Sequence, residues 1–104
     1  MRIGDLRKRV TIQQRNVTRD AYGASIETWD PLVTVWANIE ALRGREYFNA
    51  AQVRAEVTHR IRIRYLPNIT PAMRVVEGNR TFDIQAVLED NKKRELMLIV
   101  KEVV

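Results

Sequence analysis

The sequence predicts a mainly β protein: a small antiparallel β-barrel or sandwich of about six or seven strands, with one short helix over residues 46–55. Three observations predict it. In the strand over 57–65, residues 60–65 alternate strictly between basic and apolar side chains, placing His59, Ile61, Ile63 and Tyr65 on one face and Arg60, Arg62 and Arg64 on the other. Turn-forming residues recur about every 8–12 positions along most of the chain. Only one stretch, 46–55, combines helix formers with helical apolar spacing. A chain of 104 residues makes a single domain spanning 1–104, with 1–8 as a flexible lead.

Taken in order, residues 9–14 alternate, Val10 and Ile12 against Thr11 and Gln13, and form a first strand. Residues 16–25 are polar, carry Asp20 and Gly23, and are expected as an exposed loop. A short strand over 26–29 ends at Asp30-Pro31. A longer one over 32–42 sets Val33, Val35, Ala37, Ile39 and Ala41 on one face, with Trp36 among Thr34, Asn38 and Glu40 on the other. Gly44 breaks this pattern. In 46–55, Phe48, Ala51 and Ala55 give a narrow apolar stripe whose small residues suit close packing on a sheet. After the 57–65 strand, Pro67 and Pro71 bracket a loop. Strands over 73–77 and 80–87 are joined by Gly78-Asn79, a two-residue hairpin signal. A charged turn over 89–93 leads to a final strand over 95–103, apolar on both faces for part of its length.

Composition excludes several functions. With no cysteine there is no disulfide framework, no Cys-ligated zinc and no thiol nucleophile. No signal-peptide pattern or apolar stretch of membrane-spanning length occurs, so no membrane role is expected. Ser25 is the only serine and His59 the only histidine, and Ser25 lacks nucleophile-elbow surroundings. Neither a hydrolytic triad nor a histidine metal cluster follows from them. His59 is expected as a partly buried, hydrogen-bonded side chain. No catalytic residues, cofactor or metal are expected.

The net charge of +5 is distributed in blocks. Residues 1–19 hold six bases and one acid, 20–42 four acids and no base, and 43–64 six bases and two acids. Alternating patches suit a surface that meets a complementary one, including a second copy turned head-to-tail, although a solvated surface produces similar patterns. Fourteen of the eighteen bases are arginine, which favours bidentate contacts to carboxylate or phosphate. The Arg60/Arg62/Arg64 ladder, with guanidinium groups about 6–7 Å apart along a strand face, suits a phosphate backbone or an acidic neighbour; it equally suits an outer face paired with Glu or Asp across the sheet. A second basic cluster, Arg2, Arg7, Lys8 and Arg9, serves as a contact or as a solubilising tail. Trp29 and Trp36 suit stacking platforms, but in a small β domain are expected in the core.

The ordered pieces IGDLRKRVTIQQ (3–14), DAYGASIETW (20–29), VWANIEALRGREYFNAAQ (35–52), VTHRIRIRYLPNITPAMRVV (57–76) and RTFDIQAV (80–87) resemble the head-tail joining, or head-closure (stopper), family of tailed bacteriophages and prophages. Residues 96–104 match only as a generic apolar strand. The resemblance implies a virion assembly part that sits as a ring between the capsid connector or adaptor ring and the tail, against tail-terminator proteins, and helps retain packaged double-stranded DNA. It implies the connector's twelve-fold symmetry in the virion with a monomer in isolation, and a path from host cytoplasm to the head–tail interface. On that reading Arg60, Arg62, Arg64, Arg7, Lys8 and Arg9 are candidate DNA or partner contacts. Asp20, Tyr22, Glu46, Tyr47 and Arg54 are candidate inter-subunit contacts, the loop at 66–72 faces channel or tail, and the acidic 20–42 block meets the basic 43–64 block of the next copy. A small basic nucleic-acid-binding β-barrel acting alone, or a tail-completion protein, is the alternative.

Overall fold

Alternating burial along the strands organises the molecule. The computed structural model describes residues 6–42 and 57–103. Within them lie β1 (Lys8–Arg19), β2 (Ser25–Ala41), β3 (His59–Arg64), β4 (Arg74–Glu77), β5 (Arg80–Glu89) and β6 (Glu95–Val103). All six belong to one antiparallel sheet, and its order β1-β2-β3-β6-β5-β4 closes on itself as a barrel. Closure comes from β1, which pairs with β2 along its whole length and with β4 at Thr11, Ile12 and Gln13. The short helix expected over 46–55 lies outside the described residues.

The core is the inward half of each alternating pattern. Val10, Ile12, Ala37, Ile61, Ile63, Val75, Phe82, Ile84, Leu96, Leu98 and Val100 are buried together. Val33, Val35 and Ile39 pack against them, as the parity of residues 33–41 requires. A bulge at Gln85 shifts the register of β5, so that Ala86 faces outward opposite Ile99 while Val87 returns to the core. The final strand is apolar on both faces for this reason: Met97 and Ile99 lie outside the barrel, where Ile99 is buried with Val57 and packed by Leu42 and Ala86. The β4–β5 hairpin turns at Gly78-Asn79, with φ +58° at Gly78, the positive first position of a type II′ turn.

Two expectations about the first hairpin are corrected. The stretch 16–25 is not a loop: β1 continues to Arg19, β2 begins at Ser25, and only 20–24 turn. Backbone pairing and a capped turn hold this ribbon, and neither needs an apolar pattern. Asp20 Oδ1 accepts from the backbone N–H of Tyr22 (2.8 Å) and of Ala24 (2.9 Å), while Gly23 supplies φ +81°. Nor do Asp30 and Pro31 end a strand. β2 runs through them because its register slips at Leu32, and Pro31 sits where the far edge of β2 has no strand partner among the described residues.

The consequence is a two-stranded arm. Beyond Gln13 and Pro31 the ribbon leaves the barrel, with one edge of each strand unpaired among the described residues, and the molecule extends to 49 Å.

Candidate functional site

The basic strand β3 meets the acidic side of β2 within one chain. Glu40 stands directly across from Arg60 and diagonally from Arg62. Its Oε2 accepts from Arg60 Nη2, and its Oε1 lies 3.1 Å from Arg62 Nη2. Hydrogen bonding from Arg60, reinforced by the charge of both arginines, holds the Glu40 carboxyl below its ordinary pKa. One carboxylate thus partly neutralises two of the three rungs, which is the cross-sheet pairing that the strand pattern allowed. The Nε atom of Arg62 is buried without a hydrogen-bond partner among the described residues. Arg64, the third rung, is exposed and forms no ion pair among the described residues.

Arg64 belongs with the N-terminal cluster instead. Arg7, Lys8 and Arg9 are exposed at the entrance to β1. Arg9 is directly across from Trp36 in register, and its guanidinium lies 5.1 Å from the Trp36 ring centroid. Trp36 is 51 % exposed, so the expectation that it joins the core is corrected. The physical reason is parity: Trp36 shares the outer face with Thr34 and Asn38, a signal already present in the alternation. Arg9, Trp36 and Arg64 line a cavity of about 820 Å³ with Leu6, Thr34, Val35, Tyr65 and Leu66. Sequence reading placed these three residues in separate segments; the pairing β1–β2–β3 brings them together. Arg2 lies outside the described residues.

Trp29 is likewise not a core residue. It is half-buried on the arm's root, capped by Arg74 at 4.3 Å, and Arg74 Nε donates to Gln13 Oε1 at 2.7 Å. This clamp fastens the arm to β4. At the opposite end of the arm, Asp20 shapes the turn and Tyr22 is 96 % exposed. Glu46, Tyr47 and Arg54, the remaining candidate contacts, lie outside the described residues.

His59 sits in a partly buried polar cluster. Its Nδ1 is 2.8 Å from Thr58 Oγ1 and its Nε2 is 3.3 Å from Arg80 Nη2. Because a guanidinium only donates, Nε2 accepts and Nδ1 carries the proton to Thr58, the tautomer of a neutral ring. Burial lowers the His59 pKa and the Arg80 charge adds to it, against the opposing pull of Glu102. Arg80 forks onto Glu102 at 2.8 and 3.2 Å and lies over Phe82, so the cluster ties the ends of β3, β5 and β6 together. A proton acceptor facing a guanidinium is poorly suited to act as a base. Among the described residues, no group of three or more His, Cys, Asp or Glu side chains is placed to hold a metal.

The geometry is therefore one of surfaces, and the comparisons agree. The solution structure of protein SF1141 from Shigella flexneri 2a is 31 % identical, with a TM-score of 0.81, covering 98 % of this chain and 96 % of that one. A chain in the virion of a native gene transfer agent particle is 26 % identical, with a TM-score of 0.65, covering 95 % and 96 %. No curated protein matches the chain. The model of the phage head completion proteins matches residues 1–104, the whole sequence. The chain belongs to the phage head completion protein family.

Proposed function

We propose that this protein completes the phage head by joining it to the tail, as a ring in the connector that continues the DNA channel and helps retain packaged DNA. Head completion is a structural role, and the chain is a virion component rather than an enzyme. The observation that carries the reading is the match over the whole chain to the head completion family, together with a virion chain of the same fold. The form of the molecule supports it. A closed barrel needs no partner to bury its core, whereas an arm with two edges unpaired among the described residues and an exposed tip offers surface to a partner.

In this role the work is association. The barrel supplies a rigid segment of ring wall, the arm and its Asp20–Tyr22 tip reach a neighbour, and the exposed cations Arg7, Lys8, Arg9 and Arg64 meet acidic partners or channel DNA. The loop at 66–72 faces the channel or the tail, and the ring takes the symmetry of the connector on which it sits. The reading as an independent nucleic-acid binder is weaker, because Glu40 occupies two of the three guanidinium groups that would track phosphates.

Electron microscopy of lysates with this gene disrupted tests the joining role. Separate tails beside tailless heads, many emptied of DNA, are expected. Intact joined particles would overturn it.

A further inference from the structure

The cavity at Arg9, Trp36 and Arg64 and the arm tip at Asp20 and Tyr22 are complementary and lie at opposite ends of the same strand. Eleven positions separate Arg9 from Asp20 along extended backbone, roughly 36 Å at about 3.3 Å per residue. The tip therefore cannot reach the cavity of its own chain. Resting on the ring reading above, we infer that the tip of one copy seats in the cavity of the next, with Tyr22 as the anchor and Asp20 as its charged companion.

The chemistry of the two surfaces favours this occupant. Leu6, Val35, Tyr65 and Leu66 give the cavity an apolar side, and the Arg9 and Arg64 guanidinium groups supply cationic walls without a carboxylate partner among the described residues. Glu95 stands across from Arg64 in register yet makes no ion pair with it. An aromatic ring is the natural guest, because it covers apolar surface and presents its π face to guanidinium. Tyr22 is such a ring with almost all of its surface in water. Beside it, Asp20 uses Oδ1 for two backbone N–H groups, leaving Oδ2 to receive a guanidinium. A volume of about 820 Å³ has room for the Tyr22 ring together with its neighbours at the tip. A DNA backbone would meet the arginines but could not fill a concave apolar cavity.

Such a contact is heterologous: tip and cavity are different surfaces, so each copy offers both. Repetition closes a ring where the rotation between copies closes.

The absence of cysteine makes a clean test possible. Ala21→Cys places a thiol beside the tip and Thr34→Cys places one at the cavity rim, leaving Asp20, Tyr22, Arg9, Trp36 and Arg64 intact. The two single variants are mixed at high concentration, joined by a short bis-maleimide and resolved by size. The mixed dimer should exceed like-with-like dimers roughly tenfold, as expected when a docked site raises local thiol concentration. Adding Tyr22→Ala to the Ala21→Cys chain should remove that excess. A statistical mixture of dimers, or an excess that survives Tyr22→Ala, overturns the inference. The double variant, incorporated into particles and cross-linked there, should give a ladder of multimers. Joined particles that yield only monomer overturn the tip–cavity contact and leave the joining role standing. A Tyr22-dependent mixed dimer alongside intact particles in the gene disruption would do the reverse.

Discussion

The strands β1 and β2 belong to two different regions of the molecule. Their inner ends, Lys8 to Ile12 and Val33 to Ala41, are walls of the barrel, where one face of each strand meets the core. Their outer ends, Gln14 to Arg19 and Ser25 to Asp30, form an arm in which neither face meets it. In the barrel, stability comes from burial. In the arm it comes from backbone pairing, the Asp20-capped turn, the Arg15–Glu27 ion pair at 3.1 Å and the Arg74–Trp29 clamp at the root. The same chain thus holds a barrel built on a buried core and a ribbon whose residues are mostly exposed.

The largest expected effect separates the two regions most sharply. Phe82 is fully buried, packed edge-on to His59 at 5.3 Å, and Phe82→Ala should cost about 3–5 kcal/mol by removing apolar contact and leaving a cavity. Val17→Ala, on the half-exposed arm, should stay within about 0.5 kcal/mol of the parent. Urea denaturation of both variants measures this. Comparable losses would mean that the arm is packed as the barrel is, and the division would fail.

This contrast also explains what the sequence could reveal. Where one face is buried, alternation carries the answer: Ile61 and Ile63 inward with Arg60 and Arg62 outward, or Val33, Val35, Ala37 and Ile39 together inward, read correctly from spacing. Trp36 was misplaced because its aromatic character was weighed above its parity. The β4–β5 hairpin was legible because Gly78-Asn79 is local chemistry. The arm was not, because a ribbon exposed on both faces imposes no apolar period, and its polar residues have the composition of a loop. Pro31 was misleading since a proline ends a central strand but is harmless at an unpaired edge. The cavity was invisible for another reason. Its walls come from β1, β2 and β3, and only the pairing of distant segments places Arg9 and Arg64 on either side of Trp36.

A middle-sized effect concerns the charges outside the barrel wall. Glu40→Gln leaves Arg60 and Arg62 side by side without their shared carboxylate. The group is about one-third exposed, so solvent screening limits the loss to about 1–2 kcal/mol at neutral pH. The pH dependence has a definite sign. The folded-state pKa of Glu40 is lowered, so its contribution is fully present above the ordinary carboxylate pKa and is lost as pH falls through the lowered value. Parent and variant should therefore differ at neutral pH and converge in acid. A constant difference across an acid denaturation series would show that the carboxylate acts by packing rather than charge.

The smallest effect makes the same chemical change in both regions. Gly23 and Gly78 each have positive φ, +81° and +58°, and a Cβ added at either would meet nothing within 4 Å. Alanine at either site therefore brings backbone strain of about 1 kcal/mol and no steric clash. At Gly78 the turn joins two barrel strands, β4 and β5, and β4 closes the sheet against β1. Strain there cannot be relieved without opening the barrel, so Gly78→Ala should lower the global denaturation midpoint by the full amount. At Gly23 the turn ends an arm that can fray by itself, and local opening releases the strain while the barrel stays folded. Gly23→Ala should leave the midpoint nearly unchanged but speed hydrogen exchange of the paired amides near the tip. Equal midpoint shifts would mean that arm and barrel unfold as one unit. A ribbon that opens alone can adapt to a neighbouring copy at small cost, whereas one locked to the barrel would have to meet that neighbour already in its final shape.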